Sequence, residues 1–155
     1  GTLWGWGENY NGQVGDGTTT HRLSPVQIGS GTDWAQVSNG SGQVGAIKTD
    51  GTLWTWGWNV YGMLGHGDST QRTSPTQVGS LTDWAAVECP LAYYTMMLKT
   101  DGTIWAMGIN TLGQLGDGTT TNRNVPVQSG SATHWLAFDT GGSTTNGSTV
   151  ALASA

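Results

Sequence analysis

Cysteine occurs once in this 155-residue chain, at Cys89, so no disulfide framework can hold it together. Cations are almost as scarce. Lys and Arg total 5 against 10 acidic residues, for a net charge of −5. Phosphate backbones are bound through clustered Lys and Arg, so a nucleic-acid partner is not expected. No polybasic run suits an anionic membrane surface either. No apolar stretch reaches the roughly twenty residues of a membrane-spanning helix, so no membrane insertion is expected. No segment combines helix caps with a 3.6-residue apolar period.

What the chain has in abundance is glycine and tryptophan, with 26 and 9 residues respectively. Low charge with much Gly, Ser and Thr can signal disorder, but nine indole rings offer a large apolar area to bury. The glycines then read as turns between many short strands.

The order of these residues repeats. Gly1-Thr2-Leu3-Trp4 recurs as Gly51-Thr52-Leu53-Trp54 and Gly102-Thr103-Ile104-Trp105. Gly12-Gln13-Val14-Gly15-Asp16-Gly17 recurs at 62–67 and 113–118. Ser24-Pro25-Val26-Gln27 and Thr32-Asp33-Trp34 also have counterparts in both later copies, and Lys48-Thr49-Asp50 matches Lys99-Thr100-Asp101. Ala153-Ser154-Ala155 holds that last place in the third copy. The chain is a single array of three repeats, 1–50, 51–101 and 102–155.

Each copy predicts four short strands, typified by Leu3–Trp6, Val26–Ile28, Trp34–Val37 and Val44–Ile47. Four strands per unit is the blade of a β-propeller. Asp50-Gly51, Asp101-Gly102 and Asn146-Gly147 each suit a type I′ hairpin turn. The fold class is therefore all-β: three four-stranded propeller blades forming an open segment of a larger propeller. Gly1 and Ala155 align inside the hairpin turn of the internal repeats. The outermost strands thus lack partners, and exposed strand edges invite pairing. Either further repeats of a longer polypeptide or self-association with other copies is expected to close the ring.

The order Gly-Thr-Leu-Trp-x-Trp-Gly, Asn, Gly-Gln-Val-Gly-x-Gly, a Pro-Val strand and a Lys-Thr-Asp turn resembles the regulator of chromosome condensation repeat family along the whole chain. Its wording is similar to repeats of bacterial surface proteins and phages. The resemblance implies propellers that are usually seven-bladed. It also implies protein binding, since the family includes a guanine nucleotide exchange factor and a bacterial β-lactamase inhibitor. The family's plant ultraviolet-B photoreceptor has a dense Arg cluster among its tryptophans, which this chain lacks.

Repeats supply an internal control, because a residue present in every copy is explained by the blade. Trp4, Trp54 and Trp105 share one position, as do Trp34, Trp84 and Trp135, and Trp6, Trp56 and Met107 share a third. Arg22, Arg72 and Arg123 share another; a planar guanidinium there can tie a long loop down by bonding backbone carbonyls. All of these read as structural. Residues that break the period are the candidates for partner binding: Glu8, Tyr10, Trp58, Tyr61, Tyr93 and Tyr94. Aromatic side chains on a rigid scaffold make good interface anchors.

Catalytic and cofactor chemistry finds no support in the pattern. His21, His66 and His134 fall at three different repeat offsets, without metal-ligand spacing; His66 and His134 read as surface substitutions of a repeated Asp. Most carboxylates sit at recurring turns, and an acid–base pair would not be triplicated. No catalytic residue, cofactor or metal is expected. The polar segment Thr140–Gly147 reads as an inserted loop, and Asn146-Gly147-Ser148 fits a glycosylation acceptor. The composition suits a binding module on an extracellular or virion surface, contacting a protein or host receptor. A soluble inhibitor or regulator, or an accessory domain of a secreted enzyme, are the alternatives, and a cytoplasmic setting fits the same composition.

Overall fold

A computed structural model describes residues 1–143 and 145–155; Thr144, part of the inserted segment, lies outside the described residues. Among the described residues twelve strands follow one another without a helix: β1 (Trp4–Gly7), β2 (Arg22–Gln27), β3 (Trp34–Asn39), β4 (Gln43–Lys48), β5 (Leu53–Gly57), β6 (Arg72–Gln77), β7 (Trp84–Glu88), β8 (Tyr94–Lys99), β9 (Ile104–Gly108), β10 (Arg123–Gln128), β11 (Trp135–Ser143) and β12 (Asn146–Ala153). All pairing is antiparallel between consecutive strands.

The expected four strands per repeat are present, but sheet and repeat are out of phase. β3–β6 form one four-stranded sheet and β7–β10 a second, while β1–β2 and β11–β12 are two-stranded half-sheets at either end. Each full sheet takes two strands from one repeat and two from the next. The joint is the hairpin at Asp50-Gly51. Its turn bond runs from Gly51 N–H to Lys48 O, and Lys48 N–H donates to Thr52 O. The central residues are therefore Thr49 and Asp50, and Gly51, at φ 78°, takes the left-handed place that follows. This is a three-residue loop with a bulge, not the expected type I′ turn. Asp50 fixes it by accepting bonds from the Thr52 N–H and hydroxyl.

The inserted segment also departs from expectation. Asn146 pairs with Ser143 and Gly147 with Gly142, so that dipeptide lies within β12 and is not a turn. The segment prolongs the β11–β12 ladder. Gly147 is held beneath the ring of Tyr94, where any side chain would collide with it.

Burial follows from sheets packing face to face around the array. β3 and β4 pack on β7, and β8 on β11. β4 and β8 are therefore covered on both faces and almost wholly buried. Ile47, Leu53, Val78, Trp84, Val87, Cys89, Met97 and Met107 fill the layer between the two full sheets. Corresponding layers lie beneath each half-sheet. Burial lifts the Cys89 thiol to about 12, so it packs as a small inert hydrophobe.

Leu53 is fully buried and Leu23 fully exposed. Leu53→Ala is expected to cost about 2–5 kcal/mol in urea unfolding, against under about 0.5 kcal/mol for Leu23→Ala.

Candidate functional site

Because every hairpin alternates direction, the array has two faces. One carries the loops after β1, β3, β5, β7, β9 and β11; the other carries the tight β4–β5 and β8–β9 hairpins and the links between sheets.

On the hairpin face the periodic residues form repeated clusters. Lys48 Nζ lies 4.5 Å from the Trp54 ring centre and 4.9 Å from that of Trp34, and 3.2 Å from Asp33. Lys99 lies 4.6 Å from Trp105, 4.9 Å from Trp84 and 3.1 Å from Asp83. Each ammonium thus trades water for two indole faces and a carboxylate. In the third copy both charges are gone together: His134 stacks on Trp135, and Ala153 pairs with Trp135 where lysine would stand. Trp4, at the N-terminal half-sheet, is half exposed, and its indole N–H donates to the Thr2 hydroxyl.

The opposite face is built on an anchor that the sequence reading passed over. Asn9, Asn59 and Asn110 are fully buried. The Asn59 amide donates to the carbonyls of Asp68 and Thr70, both at 3.1 Å. Its oxygen accepts the Leu64 N–H at 2.9 Å. Asn9 and Asn110 make the same bonds in their loops. One side chain therefore satisfies three backbone groups that a long loop would otherwise leave bare. The signal available was an Asn at one offset in all three copies.

The arginines complete this anchor, through carboxylates more than carbonyls. Arg22 meets Asp16 at 2.5 Å and Arg123 meets Asp117 at 2.7 Å. The second copy moves the partner. His66 replaces the aspartate, and Arg72 reaches Asp68 at 2.7 Å instead, with one further bond to Thr70 O. His66 is not a mere surface substitution. It is half-buried, with Nε2 3.0 Å from the buried Thr55 hydroxyl, and burial, reinforced by Arg72, holds its pKa below the usual histidine value.

Five of the six candidate residues belong to this loop face, and the structure assembles three of them. Trp58 meets Tyr93 edge to face at 4.7 Å, and Tyr61 stacks on Tyr93 at 5.5 Å. All three are half-buried. Trp58 and Tyr61 come from the β5–β6 loop of one sheet and Tyr93 from the β7–β8 loop of the next, so the cluster bridges two blades. The second loop is seated by the buried Gln43, whose amide donates to Pro90 O at 3.0 Å. Beside Tyr61 a groove of about 520 Å³ runs between loops, lined by Val60, Asp68, Thr70, Asn122 and Asn124. The loops meet there because Gly62 has no side chain; a Cβ would stand 2.6 Å from Asn124 Cα.

Tyr94 belongs elsewhere. It is the first residue of β8, and its ring is fully buried in the layer against β11–β12, with its hydroxyl donating to Ser148 O. Tyr10 is exposed, edge-on to His21 at 4.3 Å. Glu8 is exposed and accepts a bond from Gln13. Neither joins the cluster. Among the described residues no three His, Cys, Asp or Glu side chains converge as a metal site.

The regulator of chromosome condensation (RCC1) repeat matches residues 1–47, 50–90 and 101–145. The chain belongs to this RCC1 repeat family and is a segment of β-propeller. Solved structures agree on the fold. One, described with its binding properties to Gsp1p and histones, is Prp20p from Saccharomyces cerevisiae, at TM-score 0.81 and 15% identity over 99% of this chain and 40% of that one. Yeast RCC1 (Prp20) bound to Kap60 gives TM-score 0.77 and 14% identity over 99% and 38% of the two chains. Human WBSCR16 gives 0.73 and 21% over 87% and 37%. The chain thus spans about two fifths of these neighbours. No curated protein sequence matches it.

Asn59→Ala leaves two carbonyls and one amide in a buried loop unpaired and is expected to cost roughly 2–4 kcal/mol in thermal or urea unfolding. Asp117 supplies a pH test. Burial alone raises its carboxyl, but bonds from Thr119 and Arg123 outweigh this and hold it at about 2, below the ordinary 3.8. A depressed carboxylate stabilises the fold fully above the unfolded value and loses that contribution as pH falls through the folded one. The melting-temperature gap between wild type and Asp117→Asn should therefore be widest above pH 3.8 and shrink towards pH 2.

Proposed function

We propose that this chain is a non-catalytic protein-binding module whose contact surface is the Trp58–Tyr61–Tyr93 cluster with the adjoining groove. The observation that carries this reading is the cluster itself. Three aromatic rings that break the repeat gather from two blades at one partly exposed spot, on loops pinned by buried Asn59 and Gln43. Rigid aromatic side chains contribute contact area at little entropic cost, and such residues dominate interface energetics. Structural neighbours described as binding Gsp1p, histones or Kap60 support protein as the class of partner.

The setting we propose is an extracellular or virion surface, where the module contacts a protein or host receptor. Support comes from composition: few cations, a net negative charge, a single inert thiol and abundant Gly and Thr.

Affinity capture of a stoichiometric partner with wild-type chain, repeated with Trp58→Ala, Tyr61→Ala and Tyr93→Ala, tests the site. Loss of two or three anchors should weaken binding at least about thirtyfold, with Tyr10→Ala unchanged. Undiminished capture by the triple variant would place the interface elsewhere.

A further inference from the structure

The joint between the second and third repeats also gathers polar residues that break the period. Tyr61 stands where the other copies have Asn11 and Leu112, and Asp68 where they have Thr18 and Thr119. Asn122 stands where they have His21 and Gln71, and Asn124 where they have Leu23 and Thr73. The fold brings all four to the walls of the groove of about 520 Å³. That volume falls within the roughly 300–1,000 Å³ of small-molecule sites. Both complete sheets contribute: Tyr61 and Asp68 come from the β5–β6 loop, Asn122 from the end of the β9–β10 loop and Asn124 from β10.

Hydrogen bonds inside the protein fix what each wall offers. Asn122 accepts the Asn110 N–H through Oδ1 at 2.8 Å, which leaves its Nδ2 hydrogens as donors. Asn124 donates from Nδ2 to Gly67 O at 2.8 Å, which leaves its Oδ1 as an acceptor. The exposed Thr70 hydroxyl has no partner among the described residues. Charge is balanced, because Arg72 meets Asp68 at 2.7 Å and also donates to Thr70 O. The groove thus has no unmatched cation for an anion and no unmatched carboxylate for a cation. Its remaining wall is aromatic, the Tyr61 ring, braced by Tyr93 stacked on it.

The geometry points to a neutral saccharide unit, displayed on a glycan of the partner, as the ligand of this groove. A sugar hydroxyl both donates and accepts. Neighbouring hydroxyls can therefore accept from Asn122 Nδ2 and donate to Asn124 Oδ1, with the Thr70 hydroxyl serving either way. The C–H face of a pyranose is apolar and slightly positive, which suits the negative face of the Tyr61 ring. Uncharged donors, uncharged acceptors and one aromatic wall are what a polyhydroxyl ring needs, and a charged ligand would meet no counter-charge here. The inference rests on the Trp58–Tyr61–Tyr93 cluster being the contact surface. Tyr61 belongs to both, so a sugar in the groove lies directly beside the protein contact. Joined in this way, a weak sugar site and a modest aromatic patch reinforce each other.

An array of immobilised neutral mono-, di- and trisaccharides, probed with the wild-type chain, tests the ligand. The expected result is retention on at least one of them. Asn124→Thr installs the residue that the second copy carries, and Asn122→Asp keeps the acceptor for the Asn110 N–H while removing the donors. Both variants should therefore keep the wild-type circular dichroism. Each should weaken saccharide binding at least about tenfold, with Tyr10→Ala unchanged. An array on which the wild type binds nothing overturns the proposal, as does binding indifferent to both asparagine variants. Stripping the glycans from the captured partner with glycosidases should weaken its capture at least about tenfold; undiminished capture also overturns it. None of these failures touches the contact surface itself, which falls only if capture survives the loss of Trp58 and Tyr93.

Discussion

Everything in this molecule depends on a sheet being shared between consecutive repeats. The hairpin at Asp50-Gly51 carries the chain out of β4 at the end of one repeat and into β5 at the start of the next. Neither repeat alone holds a four-stranded sheet. Cooperativity between repeats is therefore written into backbone hydrogen bonding as well as into side-chain packing. The same arrangement leaves β1–β2 and β11–β12 as two-stranded half-sheets on either side of the two complete ones.

Periodicity explains how much could be read in advance. Strand positions, strand number and the open character of the array were legible because each repeat confirmed the others. So was the distinction between Trp84 or Trp105, which recur, and Trp58 or Tyr93, which do not. What escaped depended on neighbours rather than spacing. Tyr93 and Tyr94 look equivalent in sequence, yet Tyr93 ends the β7–β8 loop and stays half-buried, while Tyr94 opens β8 and turns into the core. Asn146-Gly147 has good turn chemistry, but the ring of Tyr94 sits where the ladder must continue. The transfer of the arginine partner from Asp16 and Asp117 to Asp68 was visible only as an unexplained histidine at position 66. Trp4 and Trp6 recur as blade residues do, yet they stand exposed on the two-stranded β1–β2 sheet, where Trp54 and Trp56 sit within a four-stranded one.

The two faces divide constraint from variation. On the hairpin face, lysine, two tryptophans and aspartate interlock, so no member can change alone; the third copy altered His134 and Ala153 together. On the loop face the buried Asn amide and the Arg–Asp pair hold the loop by its backbone. Side chains outside those contacts are then free to differ, as Glu8, Trp58 and Ile109 do at one repeat position. Binding chemistry can accumulate there without loss of the fold.

The same division locates recognition. The Trp58–Tyr61–Tyr93 cluster spans the joint between the two complete sheets, where β3 and β4 already pack on β7. Its geometry is therefore set by packing within this chain, and the rings meet a partner already held in place, so little entropy is lost when they make contact.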